Sequence, residues 1–300
     1  MAAYNGSLFL REQIDSILDQ TDGNWRLTVS DDGSEDGTED IIAGYTRRFP
    51  EKITWYRAGK RFGNARDHFF HLMDQSRAAW MLFSDQDDTW YPDKVAKMRE
   101  AMKNAESRYG AETPLLIFSD QTPTDARLRP VAPSLMRYQK QAFSSFDFRG
   151  ILMQNVVTGG AMAVNRPLAA LAGQCADTSQ TIMHDWWLAA VAARFGKIVY
   201  LDEPLGTYRQ HGNNVEGAKH VGSLSYACER LGKIKSVREA ILRKKRQAAV
   251  FRRTYGEKLT EQDLSFLSGF EKNRSGLSFY WKYRKLIYGA ERKAGMALLG

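Results

Sequence analysis

Cysteine is scarce in this chain of 300 residues: Cys175 and Cys228 are the only two. Their positions match no zinc-site spacing, and two thiols make no disulfide framework, so a reducing compartment fits. Long apolar runs are missing as well. No stretch approaches the ~20 consecutive apolar residues of a membrane span. Met1 to Leu10 has neither the basic start nor the long apolar segment of a secretory leader, so the expectation is a cytoplasmic protein. No internal repeat occurs. No Gly-Xaa-Gly-Xaa-Xaa-Gly stands anywhere, which removes the usual sign of dinucleotide binding.

A hydrophobic share of 43% with 26% charged residues is that of a folded globular chain, which excludes disorder throughout. The net charge of +8 is unevenly spread. Residues 1–220 hold 25 Lys and Arg against 28 Asp and Glu, whereas residues 221–300 hold 18 against 7. A near-neutral body therefore carries a basic tail suited to an anionic surface.

Residues 7–20 place Leu8, Ile14, Ile17 and Leu18 at helical spacing, with Ser7 as the expected cap. Trp25 to Ser30 reads as a strand running into the turn Asp31-Asp32-Gly33-Ser34. A helix from Glu39 to Phe49, a strand from Ile53 to Tyr56 and a helix over 64–76 follow. The strand Trp80 to Phe83 delivers Ser84-Asp85-Gln86-Asp87-Asp88, and Pro92 opens the next helix. This alternation predicts an α/β domain with a mainly parallel sheet. No strand precedes the first helix. The expectation is that the first strand is missing, with Met1 standing at the end of a strand that begins upstream. Beyond residue 110 the reading is a strand from Leu115 to Ser119, surface loops over 120–150, an apolar run from Ala161 to Val164, a helix from His184 to Phe195 and a strand from Ile198 to Leu201. Residues 1–220 form the catalytic domain on this reading, and residues 221–300 a basic helical region.

Both acidic clusters sit at strand ends, where ligands of such sheets bind. Asp also stabilises tight turns, so a purely structural role stays open. Asp85, Asp87 and Asp88 repel one another and call for a cation or strong donors. Oxygen ligands suit Mg²⁺ or Mn²⁺. A calcium-binding EF-hand loop is excluded, because the glycine at loop position six and the glutamate at twelve are absent.

Tyr4-Asn5-Gly6, Asp31-Asp32-Gly33-Ser34, Asp85-Gln86-Asp87-Asp88, His184-Asp185-Trp186-Trp187 and Tyr208-Arg209-Gln210-His211-Gly212-Asn213-Asn214 occur in an order and spacing that resemble family 2 glycosyltransferases of the GT-A fold, bacterial rhamnosyltransferase-like members above all. The resemblance covers roughly residues 1–215. It implies a Rossmann-like nucleotide-diphospho-sugar transferase sheet flanked by helices. Tyr4 would stack on a pyrimidine base, Asp32 would accept a hydrogen bond from it, and Asn5 and Asp31 would lie beside it. Asp85 would contact the ribose or the metal's water shell, with Gln86 alongside, and Asp87 would hold the metal. Asp185 would be the general base of an inverting transfer. Ala2 and Ala3 depart from the Thr or Ser of many relatives.

The residues themselves leave other readings open. Trp186 and Trp187 suit a wall for an acceptor sugar or a core position, and Asp185 a base or a helix cap. His211 offers a metal ligand or a phosphate contact, and Arg209 a fork for phosphate oxygens. Gly159 and Gly160 allow a close backbone approach on the acceptor side, together with Asp88. Gly63 and Arg66 are expected near the nucleotide. In the tail, Arg243-Lys244-Lys245-Arg246, Arg252-Arg253 and Lys282 to Lys285 interleave with Phe279, Tyr280, Trp281 and Tyr283. That mixture suits peripheral contact with an anionic membrane or a solvated helix face, and no nucleic-acid motif accompanies it.

The function expected is metal-dependent, inverting transfer from dTDP-rhamnose or a UDP-sugar to a surface polysaccharide or lipid-linked glycan. The competing readings are a non-catalytic protein binding anionic membranes through its tail and a Rossmann-type oxidoreductase.

Overall fold

The computed structural model describes residues 1–139, 141, 146–211, 234–272 and 281. Cys228, Gly212-Asn213-Asn214 and the expected cations from Lys282 to Lys285 lie outside the described residues, as do Phe279, Tyr280 and Tyr283.

Strands β1 (Ala2–Ala3), β2 (Leu27–Asp31) and β3 (Ile53–Trp55) form a parallel sheet in that order, with Ala3 opposite Asp31 and Leu27 opposite Ile53. Strands β4 (Trp80–Leu82), β5 (Leu115–Thr124), β6 (Met162–Asn165) and β7 (Lys197–Arg209) form a second sheet in the order β4-β6-β5-β7. There β6 runs antiparallel to β4 and β5, while β5 and β7 are parallel. The expected mixed α/β architecture is present. No strand was expected between Met1 and the first helix, whereas Ala2 and Ala3 pair with β2 as a two-residue strand, too short a run to show a strand pattern in sequence.

Helix α1 (Leu10–Leu18) buries Leu10, Ile14 and Ile17 at i, i+4 and i+7 against β1 and β2. Ser7 does not cap it. Its backbone N–H donates to Asp36, the cap position is Phe9, and Leu8 is 80% exposed. Helix α2 (Thr38–Arg48) places Glu39 and Asp40 in its first turn and Arg47 and Arg48 in its last, as the helix dipole favours. Helix α3 (Ala65–Gln75) is capped by Asn64, which accepts the Asp67 N–H. Helix α4 (Lys94–Tyr109) follows Pro92 and packs Met98 and Met102 under β5 and β6.

Residues 120–150 are not mere surface loops. Strand β5 runs on through Thr124 with every residue buried. Buried Asp120 then accepts hydrogen bonds from the Leu135 and Met136 N–H groups and the Ser134 hydroxyl, anchoring α5 (Leu135–Tyr138) to the sheet. Helices α6 (Phe148–Met153), α7 (Arg166–Ala172) and α8 (His184–Phe195) cover the same sheet.

The described part of the basic tail shares the body's core. Helices Ile234–Tyr255 and Glu261–Lys272 contribute Phe251, Tyr255, Phe266 and Phe270, all nearly inaccessible, to the cluster around Trp187 and Phe148. Each such side chain stabilises by about 1.5–3 kcal/mol on burial. Cys175 is a half-buried free thiol, and burial pushes its pKa up to about 11, so it is unreactive near neutrality.

Candidate active site

The carboxyl ends of β1 to β4 converge. The turn after β2 is held by Asp31, whose carboxylate accepts from the Gly33 and Ser34 N–H groups and the Ser34 hydroxyl. Asp32, 4% exposed, accepts from the Phe62 and Gly63 N–H groups and ties the loop after β3 to β2. Asn5, at φ 48°, donates its N–H to Ser34 and accepts the Glu35 N–H. Beside this lattice lies a cleft of about 300 Å³ lined by Asp31, Glu39, Trp55, Arg57, Lys60 and Arg61. Its size is at the lower end for a small-molecule site. Tyr4, 44% exposed, carries the Arg61 guanidinium 4.8 Å from its ring centroid.

Gln86 joins the two sheets. Its Oε1 accepts the Tyr4 N–H at 2.7 Å and its Nε2 donates to the Tyr4 carbonyl at 2.9 Å. Gly6 permits this, because a Cβ there would stand 2.4 Å from Oε1. Gly6→Ala is expected to displace Gln86 and cost about 1–3 kcal/mol, the penalty for leaving such groups unpaired. Thermal unfolding checks it: if Gly6→Ala and Gln86→Ala destabilise additively, the two do not interact.

After β4, Asp87 Oδ2 lies 2.8 Å from His211 Nε2, and the His211 ring packs 4.7 Å from Phe9. Asp88 is buried. It accepts the Arg209 N–H at 2.9 Å and the Gln121 side-chain amide at 3.2 Å. Below it Lys94, 1% exposed, donates from Nζ to the Gly160 carbonyl at 2.6 Å and sits 4.3 Å from the Trp90 ring centroid. Burial raises the Asp85 carboxyl to about 7, helped by the Asp87 charge, and holds Asp88 well above the ordinary carboxylate range. Burial also lowers the Lys94 ammonium to about 7, against the pull of Asp88 and Asp85.

The 3₁₀ turn Gly159–Ala161 links this cluster to the start of α8. A Cβ on Gly160 would lie 3.0 Å from Asp85 Oδ2 and 3.1 Å from Asp88 Oδ2. A Cβ on Gly159 would lie 3.0 Å from His184 Nε2 and 3.9 Å from the Asp185 Cβ. Adjacent residues are ~3.8 Å apart at Cα, so the Asp85 carboxylate and the Asp185 Cβ stand within roughly 14 Å of each other. Asp185 is partly buried in the first turn of α8 and accepts the Trp186 N–H at 2.6 Å. A helix N-terminus favours negative charge there. His184 is buried with neither ring nitrogen hydrogen-bonded, stacks 4.2 Å from Phe69, and is held neutral by burial, which lowers its pKa to about 3.

Acid clusters at strand ends, a cleft beside them and a helix-borne carboxylate across one glycine turn agree with the sequence profile of Glycosyl transferase family 2, which matches residues 1–153. The chain belongs to this family. The transferase is 28% identical over 253 residues to the dTDP-rhamnosyl transferase RfbG of Shigella flexneri, covering 79% of each protein. A Bacillus subtilis protein named for teichuronic acid biosynthesis, the glycosyltransferase TuaG, is 28% identical over 138 residues, 45% of this chain and 52% of that one. The fold is that of S. aureus TarS 1-349 in complex with UDP, at TM-score 0.57 and 14% identity over 97% of this chain and 75% of that chain. It is also that of the mannosyltransferase PcManGT from Pyrobaculum calidifontis in complex with GDP-Man and Mn²⁺, at TM-score 0.53 and 14% identity over 98% and 83%.

Several residues of the transferase lie where the sequence did not put them. Arg209 is 2% exposed, pairs with Glu12 and donates to the Ala126 carbonyl, so its guanidinium is no phosphate fork. Arg66 donates to the Ser179 and Thr181 carbonyls and pairs with Asp67, which binds the loop before α8 rather than a nucleotide. Trp187 is wholly buried, donating to the Ala172 carbonyl, and is not an acceptor wall. Asp88 and Gly160 are core groups rather than acceptor contacts, and Gln86 spends its amide on Tyr4. Among the described residues no three His, Cys, Asp or Glu side chains converge as a metal cage, so Asp85, Asp87 and His211 do not form the expected trio. Asp87 and His211 do meet. Their carboxylate and imidazole suit a divalent cation, which would also favour the charged form of Asp85, disfavoured by burial and by the Asp87 charge. Arg57, Lys60, Arg61 and Lys94 escaped notice. Three cations within five residues after a strand were a readable signal, whereas Lys94 looked like any helix-surface lysine.

Proposed function

We propose that this glycosyltransferase moves a sugar with inversion from a nucleoside-diphosphate donor, dTDP-rhamnose or a UDP-sugar, to a surface polysaccharide or lipid-linked glycan. The observation that supports it most is the Gly159-Gly160 turn, which abuts Asp85 on one side and the Asp185 segment on the other. The nucleotide occupies the cleft by Trp55, Arg57 and Arg61, with Tyr4 at its edge. Asp185 takes the proton of the acceptor hydroxyl as that oxygen bonds to the anomeric carbon and the bond to the diphosphate oxygen breaks. Asp87 and His211 would hold a divalent cation, which when bound would offset the charge that grows on the leaving diphosphate.

Calorimetric titration of UDP and dTDP, with and without Mn²⁺, tests the donor site. Metal-dependent binding is expected in the parent and loss of that dependence in Asp87→Ala. A folded parent that binds neither nucleotide removes the proposal. The same titration carries a pH prediction. Asp85 lies two residues from Asp87, and its carboxyl, raised to about 7, gains its charge only above that pH, so the Mn²⁺ effect is expected to weaken below pH ~7, by no more than about tenfold per unit. A flat profile there would show that the Asp85 charge does not act on the ion.

A further inference from the structure

We propose that the outward face of helix Ile234–Tyr255 docks on an anionic phospholipid bilayer and thereby holds the acceptor side of the site at the headgroup layer. The docking half stands on the helix alone; the acceptor half rests on the transferase reading above.

The helix has two faces. Ile241, Gln247, Ala248, Val250, Phe251 and Tyr255 are buried against the body. Arg238, Leu242 and Arg246 form an exposed stripe at i, i+4 and i+8, with exposed Arg243 beside it. Leu242 is 45% exposed at the centre of this group. Arg252 and Arg253 are spoken for by Glu271 and Asp177. Among the described residues Arg238, Arg243 and Arg246 have no carboxylate within ion-pair distance, and Glu239 is the one acid between Arg238 and Tyr255.

Three uncompensated guanidinium groups around an exposed leucine match a headgroup boundary, where cations meet lipid phosphates and an apolar side chain enters the acyl edge. A nucleic-acid backbone would use the cations and leave Leu242 in water, and the near-neutral body adds no further basic track.

The same helix is bolted to the segment that carries Asp185. Gln247 Oε1 accepts the Ile182 N–H at 2.8 Å, and the Lys244 ammonium sits 5.6 Å from the Trp186 ring centroid. Phe251 and Tyr255 pack on Trp187. Lys244 is two residues from Leu242, a rise of ~3 Å. The lipid-facing stripe and the wall next to Asp185 are thus opposite sides of one stretch of helix. An acceptor whose sugar hangs from a lipid phosphate would meet the site at that height.

Co-sedimentation with vesicles of phosphatidylcholine alone, or of phosphatidylcholine containing phosphatidylglycerol, tests this on the full chain. Binding is expected to the anionic vesicles only. Each arginine near such a surface contributes roughly fivefold, so Arg243→Gln with Arg246→Gln weakens binding about 25-fold, and Leu242→Asp weakens it further. These side chains are exposed, so the melting temperature should hold, as should nucleotide binding. Equal binding to both vesicle types, no loss in the variants, or tighter binding to duplex DNA at the same salt overturns the proposal. Nucleotide binding measured in parallel separates the two readings: its failure alone removes the transferase site and leaves the docking face.

Discussion

Asp185→Asn will lower sugar transfer by about 10²–10⁴-fold, the usual worth of a positioned general base. The substitution is chosen for what it keeps. The cap position of α8 is Met183 rather than Asp185, and an asparagine has the same shape and the same oxygen to accept the Trp186 N–H, so that contact in the first turn is kept. Only the ability to take a proton is lost. Nucleotide affinity and melting temperature should therefore match the parent, and the loss should fall on kcat. The competing role, a structural contact without chemistry, predicts near-parental transfer because asparagine accepts the same N–H. Full activity in Asp185→Asn would end its assignment as the base.

Lys94→Met will destabilise the fold by about 3 kcal/mol, the low end for breaking a buried charge pair. The methionine fills the same volume but cannot donate to the Gly160 carbonyl, and it leaves Asp85 and Asp88 without the ammonium beneath them. The low end applies because desolvation outweighs the attraction for the ammonium, as the lowered pKa of Lys94 records, so the loss falls on the bond to Gly160 and on the carboxylates left behind. Adding Asp88→Asn should recover part of the loss by removing a charge that no longer has its partner. Denaturant unfolding at several pH values gives a second check. The folded pKa of Lys94 is about 7 against 10.5 for a free lysine, so between those values the unfolded chain binds more protons. Its contribution to parental stability therefore rises with pH across that window, and Lys94→Met removes this rise. A variant as stable as the parent, with the slope intact, would mean that the ammonium does not support the carboxylates.

Helices were the most legible part of the fold. The period of apolar residues marks α2 and α8 within a residue of their ends, because each has one wet face or a run of small apolar residues bounded by Gly or Pro. Strands were harder. Pro123 suggested a loop, yet β5 carries it through a stretch where register shifts at Asp120 and Thr122 disturb the ladder with β7. Helix α1 starts two residues later than a Ser7 cap implied, since that residue's N–H goes to Asp36, a partner 29 positions away. In the site, the motifs located the right turns but not the job of each side chain. Arg209, Asp88 and Trp187 look like surface chemistry in a string of letters. Long-range packing buries all three, and Arg209 and Asp88 meet across 121 residues.

The Gln86 amide has a consequence for how this molecule is put together. Among the described residues β1 and β4 share no ladder, and the Gln86 amide with its two bonds to Tyr4 ties the end of one to the end of the other, beside the contacts from Ser16 to Trp90 and from Gln20 to Tyr91. A backbone ladder is indifferent to side chains, whereas this joint is made by one and depends on a glycine opposite it. This tie between the two sheets is a removable part. Changes at positions 6 and 86 retune that tie while leaving Asp85, Asp87 and Asp185 themselves unaltered.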